Sequence, residues 1–190
     1  GVEAFRLRWF PSNSLSIWSW VINSNDDILS FGGRGELSTS LGEWGFTLHQ
    51  DTNVSNTQIG IDFRYDGFIG FWNESVMITS DNIDTVMITM GADYTLPIAN
   101  GVLIMTESMF IYSKQNTTTS DQTFMAFMAS LPVGMLHNVM LIYRLDWDEN
   151  NTYNYLRWSS TYDNFSINCM ASINSNEVGN SFQLMFIYNH

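Results

Sequence analysis

Hydrophobic and polar residues alternate along much of this chain, most clearly in the segments 62–65 and 139–148. Successive side chains of a β-strand point to opposite faces of a sheet, so this period of two predicts strands with one apolar and one polar face. No stretch combines a 3.6-residue period with the residues that cap a helix. The pattern therefore predicts an all-β protein.

Turn-forming residues divide the chain into about thirteen predicted strands, and Pro11, Pro97 and Pro132 all fall at strand ends or turns. Most of these strands are close to the roughly nine to eleven residues with which a tilted strand crosses a bilayer. The predicted strands span residues 3–10, 14–22, 28–39, 43–50, 57–66, 68–79, 84–96, 101–113, 122–131, 137–148, 152–162, 164–174 and 181–189.

The predicted connections alternate between short turns and longer, more polar loops. Short turns at one rim and longer loops at the other are typical of outer-membrane barrels, in which the short turns are periplasmic. We therefore expect the longer set to share an extracellular rim. The short set comprises 11–13, 40–42, 66–67, 97–100, 132–136 and 163, and the longer set comprises 24–27, 51–56, 80–83, 114–121, 149–151 and 175–180.

The composition favours a sheet that faces lipid. Charged residues make up 14% of the chain and aromatic residues 15%, and a soluble surface usually carries more charge. No apolar run approaches the roughly eighteen residues that a membrane-spanning helix needs. The net charge of -12 argues against nucleic-acid binding, and the single cysteine, Cys169, excludes an internal disulfide and a cysteine-built metal site.

The arginines sort onto the polar parity of their strands, while the only lysine, Lys114, falls in the longest predicted loop. An arginine on the lipid face near the midplane would cost roughly 2–4 kcal/mol, so a transmembrane barrel requires this sorting. We expect the arginines to point into a lumen and to meet acids, because an isolated buried charge is costly. The predicted lumen-lining residues are Arg6, Arg8, Arg34, Glu36, Asp62, Arg64, Glu107, Arg144, Asp146 and Arg157.

Two fold classes satisfy the alternation. In a soluble β-sandwich or small closed barrel, the apolar parity would form the core. The scarcity of Lys and Glu on the polar parity, together with the aromatic residues near strand ends, favours a membrane protein instead. The predicted fold is one domain, residues 1–190, forming a transmembrane antiparallel up-and-down β-barrel of about 12–14 strands.

The strand count bears on whether the barrel is complete. Single-chain bacterial barrels have an even number of strands, whereas about thirteen are predicted here. We therefore expect at least one further strand upstream of Gly1, which would make this chain the C-terminal part of a larger barrel. A different division of the segment 153–174 is the alternative.

No catalytic signature is predicted. The three histidines, His49, His137 and His190, lie in different strands without metal-ligand spacing. His49 and Asp51 form the only nearby pair, and a solvated rim explains them better than a catalytic constellation does. We therefore predict no catalytic residue, no metal site and no cofactor.

Two metal hypotheses and one phosphate hypothesis are weaker than their structural alternatives. Asp146 and Asp148 could hold Ca²⁺, but a lumenal charge network or wet rim is favoured. The glycines at 32, 33 and 35 favour curvature or close packing, since no helix follows them to make a phosphate loop. Methionines on the inward parity could bind a soft metal, although filling an irregular interior is the favoured role. These are Met105, Met109, Met140, Met170 and Met185.

The last predicted strand carries apolar residues at every second position and ends in an aromatic one: Phe182, Leu184, Phe186 and Tyr188. It resembles the C-terminal signal of bacterial outer-membrane proteins, with the departure that 189–190 follow the aromatic residue. The hairpin layout of the whole chain resembles a porin-like barrel. This resemblance implies a location in the bacterial outer membrane, contact with its lipid, and recognition by the barrel-assembly machinery.

Two functions are consistent with this sequence. The first is a porin-like channel that passes small solutes through a polar lumen lined by arginines and acids. The second is a structural or scaffold barrel with a filled lumen, which anchors or binds other envelope proteins. A homo-oligomer is compatible with both, and an outer-membrane enzyme ranks third.

Overall fold

In the computed structural model, which describes residues 2–24, 29–52, 55–175 and 179–188, thirteen strands follow one another along the chain. Each strand lies beside its chain neighbours in an antiparallel up-and-down sheet, as the sequence predicts. The strand order does not return from β13 to β1, so the sheet is not closed. The strands are β1 (Val2–Ser12), β2 (Leu15–Ser24), β3 (Leu29–Thr39), β4 (Gly42–Asp51), β5 (Asn56–Asp66), β6 (Gly70–Thr79), β7 (Ile83–Leu96), β8 (Val102–Gln115), β9 (Thr118–Val133), β10 (His137–Asp146), β11 (Asn151–Thr161), β12 (Phe165–Asn174) and β13 (Ser181–Tyr188).

Helices are absent from the described residues, and so is any helix long and apolar enough to span a membrane. Several predicted loop residues lie outside the described part of the chain, namely 25–28, 53–54 and 176–178. The end of the predicted last strand, 189–190, lies outside it as well.

The prediction of a long loop at 114–121 is wrong. β8 continues to Gln115 and β9 begins at Thr118, so a tight turn replaces the loop, and Lys114 lies in a strand. Asn116 in this turn has a φ of 54°, a left-handed conformation that asparagine tolerates better than most residues. The threonine-rich segment resembles a loop in its polarity, but β-branched threonine is a strong strand former.

The chain folds into two compact units. We call residues 1–90 and 109–121 the N-terminal unit, and residues 91–108 and 122–190 the C-terminal unit. The first contains all of β1 to β6, and the second contains all of β10 to β13. The middle strands β7, β8 and β9 contribute residues to both units.

Cross-strand register fixes which side chains share a face in the N-terminal unit. Gly45 lies opposite Glu36 and Asp62, and Asp62 lies opposite Glu74. We call this side the polar face; it carries Arg6, Arg8, Trp18, Trp20, Arg34, Glu36, His49, Asp62, Arg64 and Glu74. The other side, the apolar face, carries Phe5, Leu7, Ile17, Phe31, Phe46, Leu48, Ile59 and Ile61.

The C-terminal unit is divided in the same way. Arg144 lies opposite Ala126 and Tyr153, and Arg157 lies opposite Met140 and Met170. Its polar face carries Phe124, Met140, Arg144, Asp146, Tyr153, Arg157, Met170 and Gln183. Its apolar face carries Leu141, Tyr143, Leu145, Leu156, Trp158, Phe182, Leu184 and Phe186.

The described residues include no buried hydrophobic side chain, so neither unit has an apolar core there. The apolar faces are open instead: Leu48 is 52% exposed and Ile59 is 55% exposed. Apart from Gly45 and Gly91, the buried residues of the described ranges are polar or charged, namely Ser16, Ser30, Asp146 and Ser160. A soluble domain usually buries its aliphatic residues, whereas the described part of this chain leaves them exposed.

Candidate functional site

A charged cluster crosses β3, β4 and β5 on the polar face of the N-terminal unit. Arg34 donates to both oxygens of Asp62, at 2.7 and 2.9 Å, and its Nε donates to Glu36 at 2.9 Å. Thr47 accepts a further bond from Nη1 of Arg34 at 2.9 Å. Both carboxylates therefore bind one guanidinium, and the fork-to-fork contact with Asp62 fixes its plane.

Gly45 makes the contact between Arg34 and Asp62 possible. These two residues lie on strands that are not neighbours, because β4 runs between β3 and β5. A Cβ atom at Gly45 would overlap both the guanidinium of Arg34 and the carboxylate of Asp62. The missing side chain leaves a gap through which the arginine reaches across one strand to its acid.

A second bridge of the same kind joins Trp20 to His49. Nε1 of Trp20 donates to Nδ1 of His49 at 3.1 Å, and Nε2 of His49 lies 3.2 Å from Asp51. The intervening residue is Gly32, where a Cβ atom would overlap the indole ring. The predicted role of this glycine in close packing is confirmed.

The pair of His49 and Asp51 belongs to a polar network at the end of β4. Ser30 donates to Asp51, and the amide of Asn56 donates to the same carboxylate at 3.0 Å. The two ring nitrogens of His49 contact Trp20 and Asp51, so no serine hydroxyl is hydrogen-bonded to this imidazole. The arrangement orders the strand end and lacks the serine–histidine contact that nucleophilic catalysis requires.

The arginines of β1 lie against an aromatic ring. The guanidinium carbons of Arg6 and Arg8 are 4.8 and 4.3 Å from the ring centroid of Trp18, which is cation–π geometry. Arg8 also lies 4.0 Å from Glu36, which accepts a bond from Ser16 at 3.0 Å. The charged cluster therefore extends from β1 to β5.

A cavity of about 480 Å³ adjoins the charged cluster within the N-terminal unit. Both charged and thioether side chains line it. They include Arg34, Asp62, Glu74, Met87, Thr89 and Met109.

By comparison, the described residues on the polar face of the C-terminal unit form no ion pair. Arg144 lies between the rings of Phe124 and Tyr153, at 5.0 and 5.5 Å, and makes no ion pair with Asp146. The buried carboxylate of Asp146 accepts the backbone N–H of Glu149 at 3.2 Å instead. That strand end is therefore held by side-chain to backbone bonds.

Two further predicted positions in the C-terminal unit bear on metal binding and pairing. Asp148 accepts the backbone N–H of Thr123 at 2.6 Å. Across the described ranges, no group of three metal-ligating side chains occurs. Arg157 has a buried Nε without a hydrogen-bond partner, and its cross-strand neighbours are Met140 and Met170.

The expected meeting of arginines and acids thus holds for only part of the set. Arg34 meets Glu36 and Asp62, and Arg8 meets Glu36. Arg64 meets an acid that was not expected, Asp66, at 3.1 Å. The expectation is wrong for Arg6, Arg144 and Arg157, which lie beside rings or thioethers, and for Glu107, which has no ion pair among the described residues.

A small hydrogen-bonded group lies on the apolar face of the C-terminal unit. Ser160 is buried, accepts a bond from Nε1 of Trp158 at 3.0 Å, and lies 2.8 Å from Nδ1 of His137. The hydroxyl is buried, and no carboxylate contacts this imidazole in the described structure. It satisfies the polar atoms of two aromatic residues.

Removal of the Ser160 hydroxyl tests this role. Ser160→Ala should lower the free energy of unfolding by about 1–2 kcal/mol, because the indole N–H and the imidazole both lose their partner. Ser159→Ala is the matched control, since Ser159 faces the other way and makes one long bond of 3.5 Å. Denaturant titration followed by tryptophan fluorescence measures both variants, and equal losses would contradict the assignment.

Aromatic clusters lie beside the short turns in each unit. In the N-terminal unit, the rings of Trp44 and Phe63 are 4.3 Å apart. In the C-terminal unit, Phe165 stacks on Tyr162 at 4.6 Å and on Phe186 at 5.4 Å. Aromatic residues at strand ends are the kind of girdle that membrane barrels place at the lipid interface.

The residues of the predicted assembly signal share one face of β13. Phe182, Leu184, Phe186 and Tyr188 alternate along the strand and are 62–73% exposed. Their cross-strand partners on β12 are the residues at 165, 167, 169 and 171. The pattern of the signal is present in the structure, while its recognition by an assembly machinery stays a prediction.

Several site residues escaped sequence reasoning. Gly45, Glu74 and Ser160 carry no signal in the alternation of apolar and polar residues. Isolated glycines on a polar parity are the one signal that could have located the two bridges, since glycine within a strand often marks a close approach.

Comparisons with protein-family models, with curated proteins and with solved structures find no match to this chain. Its fold and faces define a class: an all-β, up-and-down antiparallel sheet with a charged face and an open apolar face. What the sheet does is inferred from its own residues and geometry.

Proposed function

We propose that this chain is a β-barrel protein of the bacterial outer membrane, porin-like in layout, whose polar face lines a path for small solutes. The observation that carries the proposal is the open apolar face. Large aliphatic and aromatic side chains stay exposed along whole strands in both units, and contiguous exposed apolar surface marks contact with lipid or protein.

Lipid is the partner that fits the apolar faces best. The exposed side chains recur at every second position of many strands, including β1, β4 and β13, rather than forming one local patch. The aromatic clusters beside the short turns match an interfacial girdle. A soluble protein with this surface would expose far more apolar area than monomers tolerate.

The polar faces suit an aqueous lumen. All six arginines lie on a polar face, and none lies on an apolar face. The charged cluster of Arg34, Glu36 and Asp62 offers fixed charges of both signs, as a wet pore wall does. In the proposed closed barrel of about 12–14 strands, these faces would enclose the solute path.

The proposed partners follow from the proposed location. Outer-membrane lipid would cover the apolar faces, and the barrel-assembly machinery would recognise the alternation of Phe182, Leu184, Phe186 and Tyr188 on β13. A second copy or another envelope protein is a further partner compatible with this arrangement. The proposal includes no catalytic residue and no cofactor.

Planar-bilayer recording tests the channel. The purified full-length chain, folded in detergent and added to a bilayer in KCl, should give discrete conductance steps because hydrated, charged walls admit ions. The same detergent without protein is the control. Insertion of the folded chain without any conductance would reject the channel.

A scaffold barrel with a filled lumen is the second candidate, and one observation favours it. Arg34 and Trp20 each extend across a neighbouring strand on the polar face, so large side chains already cover part of that surface. A covered polar face would block solutes and leave the protein as an anchor for an envelope partner. Folded, inserted and non-conducting protein is the result that this candidate predicts.

A further inference from the structure

The cavity on the polar face of the N-terminal unit contains a negative charge that the described residues do not balance. Asp62 and Glu74 lie directly opposite each other on β5 and β6, and like charges in that position destabilise a sheet. Arg34 holds Asp62 through both oxygens. Glu74 is solvent-exposed at the edge of the cavity and has no ion pair or hydrogen bond in the described part of the chain, so its carboxylate remains available to a ligand there.

Arg34 does not form an ion pair with Glu74. Its guanidinium already donates to Asp62, Glu36 and Thr47. The charged cluster and Glu74 together hold three carboxylates, Glu36, Asp62 and Glu74. Two guanidinium groups of the cluster, those of Arg8 and Arg34, pair with these acids, which leaves one net negative charge. A ligand that carries a single positive charge would restore the balance.

The remaining cavity walls indicate what kind of cation fits. The thioether side chains of Met87 and Met109 are flexible and apolar, and they adapt to alkyl groups. The described residues hold no group of three side chains that could ligate a metal. Hard divalent cations need six or more oxygen ligands, so these walls suit an organic cation better than Ca²⁺ or Mg²⁺.

We propose that this cavity binds a small primary alkylammonium ion, with Glu74 receiving the ammonium group and Met87 and Met109 contacting the alkyl chain. Its volume of about 480 Å³ accommodates a short alkyl chain together with water. This inference rests on the proposed channel, because it names the class of solute that the polar face would select. Binding itself requires no ion flow.

Methyl NMR of the folded full-length chain in detergent tests the binding. With ¹³C-methyl methionine, n-butylammonium chloride should shift the Met87 and Met109 signals saturably and leave the signal of the fully exposed Met135 in place. n-Butanol and sodium butyrate have the same alkyl chain without the positive charge. The proposal would be overturned if either compound shifted the signals of Met87 and Met109 as strongly as butylammonium does.

Two glutamate variants test the charge. Glu74→Gln should weaken butylammonium binding by about fivefold or more, because it removes the counter-charge and keeps the shape. Glu43→Gln removes the same charge elsewhere on the polar face and should leave the affinity unchanged. Equal affinity of the wild type and Glu74→Gln would overturn the site.

The bilayer recording separates this inference from the proposed function. A chain that binds butylammonium but does not conduct would keep the site and reject the channel. A chain that conducts without shifts at Met87 and Met109 would keep the channel and reject the site.

Discussion

Replacing Ile59 with arginine is expected to lower the free energy of unfolding in lipid bilayers by about 2 kcal/mol. Ile59 lies on the apolar face of β5, opposite Leu48, and is 55% exposed. If lipid covers this face, the guanidinium must enter hydrocarbon or snorkel to the interface, and both responses are costly. The adjacent Gln58 points to the polar face, so Gln58→Arg should change the free energy by less than about 0.5 kcal/mol.

This pair of variants separates a membrane sheet from a water-soluble one. In water, arginine at an exposed isoleucine position would be nearly neutral, since surface substitutions usually stay within about 0.5 kcal/mol. Reversible urea unfolding from vesicles, followed by tryptophan fluorescence, gives both free energies in the same lipid. Equal stability of Ile59→Arg and Gln58→Arg would contradict the lipid assignment of the apolar face.

The strands were predictable because their signal is local. An apolar side chain at every second residue identifies a two-faced strand without knowledge of its neighbours, and the order of up-and-down hairpins follows from short connections. The prediction failed at 114–121, where threonines form strand while looking like loop. There, the polarity of the threonines predicts a loop and their β-propensity predicts a strand. The backbone hydrogen bonds of a sheet form with polar side chains as well as with apolar ones, so the strand results.

Partners within the site were less predictable, because they depend on register and on strand order. Arg34 could be placed on a polar face from its parity, but its contact with Asp62 needs two registers and an intervening glycine. The separation of 28 residues gives no local hint of this contact. By contrast, Arg64 and Asp66 are two residues apart on one strand face, so alternation alone brings them within reach of each other.

For Arg144, the sequence suggests a partner that the structure does not show. Asp146 lies two residues away on the same face and was the obvious partner. The backbone turn after β10 engages that carboxylate, through the N–H of Glu149. Arg144 therefore lies between the rings of Phe124 and Tyr153, which come from the two neighbouring strands. Competition between a side chain and the backbone for one acid cannot be resolved without the geometry of the turn.

Gly45→Val is expected to lower the free energy of unfolding by about 2–3 kcal/mol, because its side chain would displace Arg34 from Asp62. Breaking a fully buried pair costs roughly 3–5 kcal/mol, and the smaller value reflects the partial exposure of both side chains here. Gly35→Val is the matched control: it lies on the adjacent strand and faces the apolar side, where a Cβ atom meets nothing within 4 Å. Added apolar surface there should cost less than about 0.5 kcal/mol.

A double variant shows whether the loss comes from the ion pair. Asp62→Ala removes the acid that Arg34 reaches across Gly45, while Glu36 and Thr47 still hold the guanidinium on its own side of the gap. Adding Gly45→Val to this variant should therefore cost less than about 1 kcal/mol further. Sub-additive losses in this cycle, measured by urea unfolding from the same vesicles, would assign the effect to the contact between Arg34 and Asp62. Fully additive losses would mean that valine disturbs the backbone of β4 itself, and that the gap at Gly45 is not what permits the bridge from β3 to β5.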